Sequence, residues 1–281
     1  MTAASPLSAP PTVLLFGPLD PTAATHLLAD TQTCMAAGCH PVGVMTAVQI
    51  QDTTGLEHIS LIAPEQIHDQ MRCLLEDLSV HAIKAGPLYS IEEASILGQV
   101  LADYAHLPLI LHLQSIPEDK YFDTEMDSGE VIDALFQLVV PFAQLVVADQ
   151  LLLEQWQAEG HLDQHRHPAQ ELIELGAGAV LYTTTQDSGQ GGSYQLFMPQ
   201  GLKKQWPQQS PPERTQDTEG MLACMCAAQM AQQKPLSQAC SDALQFVQQA
   251  TRHIFQAGMG NRLINQSALA RTQSDLKVHE A

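Results

Sequence analysis

Val13-Leu14-Leu15-Phe16-Gly17-Pro18-Leu19-Asp20-Pro21-Thr22-Ala23-Ala24-Thr25-His26-Leu27-Leu28-Ala29-Asp30 is the stretch that decides the architecture. The apolar run 13–16 ends in Gly17, as a buried strand does. Asp20-Pro21 follows, with Asp suited to the N-cap and Pro to the first helical position. The helix is expected to run to about Ala37, with Gly38 as its stop. Strand, phosphate-sized turn, helix: the chain opens as a βα unit.

The alternation continues outward from there. Segments 41–50 and 58–62 read as strands. Ile67, Met71, Leu74, Leu75 and Leu78 recur at helical spacing, which makes 64–78 an amphipathic helix. Strand 81–85, helix 91–105 and strand 107–113 lead into a polar, acidic loop over 114–128. Helix 129–141, strand 144–148 and helices 150–159 and 168–176 come next. Strand 178–183 follows, with 194–198 as its antiparallel neighbour. A turn-rich segment, 199–217, precedes helices 218–233 and 237–257. This order predicts a mostly parallel sheet covered on both faces. The expected organisation is one domain over 13–258, between a flexible lead (1–12) and a tail (259–281). Open α/β sheets bind ligands beyond the carboxyl ends of their strands. Loops 17–22, 49–55, 86–90, 114–128, 149–150, 183–192 and 215–223 are therefore the ones to read for function.

The bulk composition narrows the function. Of 281 residues, 45% are hydrophobic, ample for a large core, and the formal net charge is −19. Twelve Lys and Arg against 31 Asp and Glu argue against a nucleic-acid partner, which needs a basic face. Anionic membrane surfaces are disfavoured for the same reason. A small anion remains compatible, since backbone N–H groups at a helix N-terminus bind phosphate without basic residues. Residues 1–12 lack the features of a secretory leader, and the apolar stretch 134–148 is interrupted by Gln137, Pro141 and Gln144. Six cysteines (34, 39, 73, 224, 226, 240) show no CxxC pair and no zinc-type spacing. They read as reduced thiols of a cytoplasmic protein, mostly buried.

Taken in order, the loops carry a collinear resemblance to the hydroxymethylpyrimidine/phosphomethylpyrimidine kinases, members of the ribokinase superfamily. That family opens with a strand, a Gly-x-Asp-Pro-Ser-Gly-Gly-Ala-Gly turn and a helix with an Ala-Asp pair. Here Gly17, then Asp20-Pro21-Thr22-Ala23-Ala24-Thr25-His26, then Ala29-Asp30 occupy that pattern, with one extra residue before Asp20. Thr46-Ala47 and Gln51-Asp52-Thr53 with Gly55 match its Thr-Ala strand and Gln-Asn-Thr loop, the most specific stretch. Lys84 and Gly86 match a Lys-Ile-Gly strand end, and 177–181 matches the strand before its Lys-Gly-Gly. Asp217-Thr218-Glu219-Gly220 matches the start of its signature loop, with Ala227-Ala228 in the helix behind. The resemblance implies a ribokinase-like three-layer α/β/α sandwich, ATP and Mg²⁺ as cofactors, a small pyrimidine ligand and a homodimer. It places Gly17, Asp20, Asp30 and Gln51 on the substrate side, with Gln51 reading the pyrimidine edge. Thr183, Thr218 and Gly220 fall on the nucleotide side, and Asp217, Gly220 and Ala223 at the catalytic loop.

The departures cluster at the chemistry. The family signature continues Gly-Thr-Gly-Cys, or Gly-Ala-Gly-Asp in sugar kinases, where this chain has Gly220-Met221-Leu222-Ala223. Leu222 replaces a glycine whose bare backbone approaches the moving phosphoryl group, and Ala223 replaces the residue that activates the substrate hydroxyl. Cys224 lies one residue on, about 100° around a helix. The first turn's Gly-Gly is Ala23-Ala24, the Lys-Gly-Gly is Thr183-Thr184-Thr185, and the Asp-Pro-Val-Met loop is His112-Leu113-Gln114-Ser115. The expected function is a kinase of this family with an eroded catalytic loop. The alternatives are a non-catalytic pyrimidine-binding or regulatory relative, and a kinase for another small alcohol. His161, His165 and His167 fit no common zinc template, so no metal site is expected. Gly189-Gln190-Gly191-Gly192 lacks a following Lys-Ser/Thr and is no Walker motif.

Overall fold

Alternation along the first strand sets up two hydrophobic cores. Leu14 and Phe16 enter one and Val13 and Leu15 the other, because successive side chains on a strand face opposite ways. The computed structural model describes residues 9–123, 125–184, 192–208 and 218–265. Its main sheet comprises β1 (Thr12–Leu19), β2 (His40–Gln51), β3 (Leu56–Leu61), β4 (Val80–Ala85), β5 (Leu109–His112), β6 (Ala143–Asp149), β7 (Val180–Thr184), β8 (Ser193–Met198) and β9 (Gly201–Pro207). The spatial order is β3-β2-β1-β4-β5-β6-β7-β8-β9. From β2 to β7 all neighbours are parallel, while β3 at one edge and β8 and β9 at the other are antiparallel.

One face carries α2 (Pro64–Asp77), α3 (Ile91–Asp103), α4 (Ser128–Leu138), α5 (Gln150–Glu159) and α6 (Pro168–Glu174). The other carries α1 (His26–Ala36), α7 (Thr218–Ala231) and α8 (Leu236–Ala250). This is the expected three-layer α/β/α arrangement. Helix α7 is buried on nearly every side, between the sheet, α1 and α8. Its apolar run (Met221, Leu222, Ala223, Cys224, Met225, Cys226, Ala227, Ala228) has no polar face, as befits a central helix.

Three segments differ from the sequence reading. The first helix begins at His26 rather than beside Asp20, for reasons given below. The 199–217 segment contains β9, whose Lys203, Lys204 and Gln205 are exposed on the sheet edge and so lack an apolar alternation. The last helix stops at Ala250, and β10 (Ile254–Phe255) pairs with β11 (Leu263–Ile264) where helix end and tail were expected.

Helix α3 starts with a Ser-x-x-Glu box. The Ser90 hydroxyl accepts from Glu93 N at 3.1 Å, and the Glu93 carboxyl reaches back to accept from Tyr89 N at 2.8 Å. Glu93 is 1% exposed, and burial pushes its carboxyl up to about 8 against the pull of the Tyr89 N–H. Its ordinary value is 4.5. Between those two values the native state holds a proton that the unfolded chain releases, so stability falls as pH rises through that window. The slope is up to about 1.4 kcal/mol per pH unit. Glu93→Gln, which stays neutral, is therefore expected to gain stability over the parent protein as pH rises from 5 to 8 in urea unfolding. A pH-independent difference between the two would refute the assignment.

Candidate ligand site at the carboxyl ends of the strands

Asp20 is fully buried just past β1, and a buried carboxylate must collect donors. Its Oδ1 accepts from Thr22 N and Thr22 Oγ1, each at 2.7 Å. Its Oδ2 accepts from Thr25 N at 2.9 Å and Thr25 Oγ1 at 2.8 Å. The Gln51 side chain, from the end of β2, bonds to it as well. Burial raises the carboxyl's pKa, but the bonds from Gln51, Thr22 and Thr25 outweigh it and hold the group below its ordinary value. Asp20 therefore organises the five-residue turn instead of capping the helix. That turn puts Ala23 (φ 57°) and His26 (φ 54°) in the left-handed region. These are two of the three positions where the family resembled above has glycine, and a side chain there costs about 1–2 kcal/mol.

The neighbouring strand ends pack backbone to backbone. A Cβ on Gly17 would lie 3.3 Å from the Gly86 carbonyl oxygen. Gly86, at φ +105°, would drive a Cβ into the His112 carbonyl oxygen. Gly86 N donates to Phe16 O at 3.1 Å, closing β1 on the β4 loop. Gly17, Asp20 and Gln51, which the family resemblance assigns to the substrate side, thus lie at neighbouring strand ends.

Asp30 lies beneath this group. Its carboxylate pairs with Lys84 Nζ at 2.6 Å, and Lys84 also donates to Gly86 O at 3.0 Å. Lys84 is 1% exposed and Asp30 3%. A sequence cannot announce a pair 54 residues apart, and Asp30, expected on the substrate side, forms a buried ion pair that supports the Gly86 turn.

On the nucleotide side, Thr183 lies one residue before the end of β7 and pairs with Asp149 on β6 and Tyr194 on β8. Burial, then the charge of Glu219 in the first turn of α7, pushes the Tyr194 phenol up. Thr183 Oγ1 and His112 Nδ1 are buried without a hydrogen-bond partner among the described residues. Burial, then the nearby Lys84 charge, keeps the His112 imidazole neutral. Thr218 opens α7 and Gly220 lies in its first turn, where backbone N–H groups are not used by the helix's own hydrogen-bond ladder. Thr183 and these N–H groups suit a phosphate. Asp217 lies outside the described residues, and so does Thr185, the last residue of the triplet standing for Lys-Gly-Gly. Most of the glycine-rich 189–192 segment does too.

The stretch matched to the signature loop is helical, in keeping with the helix expected over 218–233. Gly220, Met221, Leu222 and Ala223 all belong to α7, with Leu222 1% and Ala223 0% exposed. Cys224 does not turn toward the loops. Its thiol donates to the Asp30 backbone oxygen at 3.2 Å, and burial, then the Asp30 charge, pushes it well above its ordinary pKa.

Two further features were not legible in the sequence. The chain beyond α8 folds over the β2–β3 hairpin, with Asn261 N donating to Thr53 O at 2.6 Å and Gly260 N to Thr53 Oγ1 at 3.1 Å. His167 caps α6, accepting from Ala169 N at 3.3 Å, and packs on Phe197 and Tyr182. Among the described residues no group of three or more His, Cys, Asp or Glu could hold a metal ion. No described helix is long and apolar enough to cross a membrane.

Comparison with known proteins agrees with this geometry. A Staphylococcus aureus hydroxymethylpyrimidine/phosphomethylpyrimidine kinase is 22% identical over 271 residues, covering 94% of this chain and 96% of that one. The chloroplastic thiamine biosynthetic bifunctional enzyme TH1 of Arabidopsis thaliana is 25% identical over 257 residues. That match takes in 89% of this chain but only 48% of the plant enzyme, so the chain spans about half its length. A Bacillus subtilis pyridoxal kinase solved as an ADP complex superposes with a TM-score of 0.80 at 15% identity, over 93% of this chain and 99% of that one. The fold is thus that of the ribokinase-like vitamin kinases. The sequence model of the phosphomethylpyrimidine kinase family matches residues 20–265, from the buried Asp20 turn to the end of the small hairpin, and the chain belongs to that family.

Proposed function

We propose that the chain binds a hydroxymethylpyrimidine-type ring at the carboxyl ends of β1, β2 and β4, and that ATP-dependent phosphoryl transfer to it has been lost or reduced to a trace. The observation that carries this reading is the position of Gly220–Ala223 inside a buried helix. Phosphoryl transfer depends on positioning and on stabilising charge as it develops. The N–H groups of Leu222 and Ala223 are spent on the helix itself. The Ala223 methyl cannot take a proton from a hydroxyl.

The ligand side is better preserved. A carboxylate only accepts, so the Gln51 amide must donate one N–H to Asp20. This fixes the amide's orientation and leaves its oxygen and second N–H to read the edge of an aminopyrimidine. ATP and Mg²⁺ would supply the phosphoryl group and its charge neutralisation in an active protein. Thr183, Thr218 and Gly220 would hold the phosphates.

A second reading, a working kinase for this ring or another small alcohol, is favoured by the Thr183 hydroxyl near the end of β7, buried without a hydrogen-bond partner among the described residues. Calorimetric titration with hydroxymethylpyrimidine tests the binding half of the proposal. We expect saturable binding that falls roughly tenfold or more in Gln51→Ala, the loss of a buried hydrogen-bonding pair. Absence of binding by the folded parent protein would overturn the proposal.

A further inference from the structure

We propose that Cys34 and Cys39 are a redox pair, in which a hydroperoxide oxidises Cys39 and Cys34 closes an intramolecular disulfide. The two residues flank the turn that ends α1. Gly38 takes φ +79°, and Cys39 N donates to Cys34 O at 3.1 Å across the turn. This backbone closure is the helix-end turn in which the side chains of its first and last residues meet, which sets the two thiols against each other.

Cys39 has the surroundings of an attacking sulfur. Gln232 Nε2 donates to its Sγ at 3.4 Å, a contact that favours thiolate. The Cys34 bond, then that from Gln232, holds the Cys39 thiol below its ordinary pKa despite burial. Access comes from the same side. Gln232 also lines a polar cavity of about 400 Å³ between α1, α7 and α8, with Ala37, Gln229, Lys234 and Phe246 among its walls. A hydroperoxide that enters this cavity meets the Gln232 amide and, behind it, the sulfur.

The other thiols lack this combination. Cys226 and Cys240 also interact, but that interaction together with burial pushes Cys226 well above its ordinary value. Cys224 is buried against Asp30. Cys73 is exposed on α2.

The chemistry balances with the peroxide as oxidant. The Cys39 thiolate attacks the peroxide, the O–O bond breaks, and the first oxygen leaves as water after protonation, giving a sulfenic acid. The Cys34 sulfur then attacks Cys39, its proton and the sulfenic oxygen leave as a second water, and the S–S bond forms. Two thiols lose two electrons, and hydrogen peroxide is reduced to two waters.

The sequence makes the test direct. The first Lys or Arg in the chain is Arg72, so trypsin leaves Cys34 and Cys39 together on residues 1–72, apart from every other thiol. The folded protein is treated with hydrogen peroxide, quenched, unfolded, alkylated with iodoacetamide and digested. We expect residues 1–72 to take up no alkyl group and to regain two after dithiothreitol, while Cys224, Cys226 and Cys240 remain alkylated. In Cys34→Ser, Cys39 should instead be trapped by dimedone as a sulfenic acid. Two alkyl groups on residues 1–72 under conditions that oxidise Cys73 would overturn the proposal. So would a sulfinic acid at Cys39 without a bridge.

Discussion

Given ATP, Mg²⁺ and hydroxymethylpyrimidine, the purified chain is expected to transfer phosphate at least about 10⁴-fold more slowly than the Staphylococcus aureus relative assayed beside it. Two deficits combine in that figure. A lost anion-hole donor costs about 10²–10³, and an absent positioned base about 10²–10⁴. On the proposed reading Leu222 and Ala223, both buried within α7, supply neither function. Cys224 cannot take over from a position where its thiol faces the Asp30 carbonyl. The same geometry predicts how activity responds to repair. Ala223→Cys alone should bring no gain, since the new thiol would enter the buried interior of α7. A combined Met221→Thr, Leu222→Gly, Ala223→Cys variant reopens the helix start and should recover about 10² or more, at a stability loss of about 2–5 kcal/mol for the emptied Leu222 site. Mass spectrometry of the product measures each rate. Parent turnover within tenfold of the Staphylococcus enzyme would mean that another group serves as base and that α7 opens during catalysis.

Periodicity reported the frame of this fold faithfully because strands and helices bury their faces by local rules. Ile67 and Met71 lie in the core at the helical spacing seen in the sequence, and Leu14 and Phe16 alternate with Val13 and Leu15 as a two-sided strand requires. What stayed hidden was set by contacts over distance. Asp20-Pro21 carries a genuine helix-start signal, yet full burial recruits the Asp20 carboxylate to Thr22, Thr25 and Gln51 and delays the helix to His26. The polar edge strand β9 has no pattern of its own and exists because β8 offers it a ladder. The site divides in the same way. Gln51 and Asp20 are candidates through the family resemblance of their loops, whereas the burial of Gly220–Ala223 depends on α1, α8 and the sheet closing around α7.

Lys84→Met is expected to destabilise the protein by about 3–5 kcal/mol in urea unfolding, because it leaves the Asp30 carboxylate buried without its counter-charge. Both partners are almost entirely removed from water, and their 2.6 Å contact joins α1 to β4 across the face that α7 covers. Asp30→Leu should cost a similar amount by stranding the ammonium. The double variant Asp30→Leu/Lys84→Met removes both charges and should recover most of the loss, since replacing a whole buried pair with apolar side chains is often close to neutral. A coupling energy of several kcal/mol from this cycle would confirm that the pair acts as a unit. Single-variant losses below about 1 kcal/mol would mean that water reaches the pair, as at an exposed ion pair. The double variant also separates stability from function. Lys84 Nζ holds the Gly86 carbonyl, and Gly86 in turn meets Gly17 and His112. If that contact sets the floor of the ligand site, the refolded double variant should bind hydroxymethylpyrimidine more weakly than the parent protein although its stability is restored. Equal affinity in the two proteins would confine the Asp30–Lys84 pair to a structural role and leave Gly17, Asp20 and Gln51 to define the site.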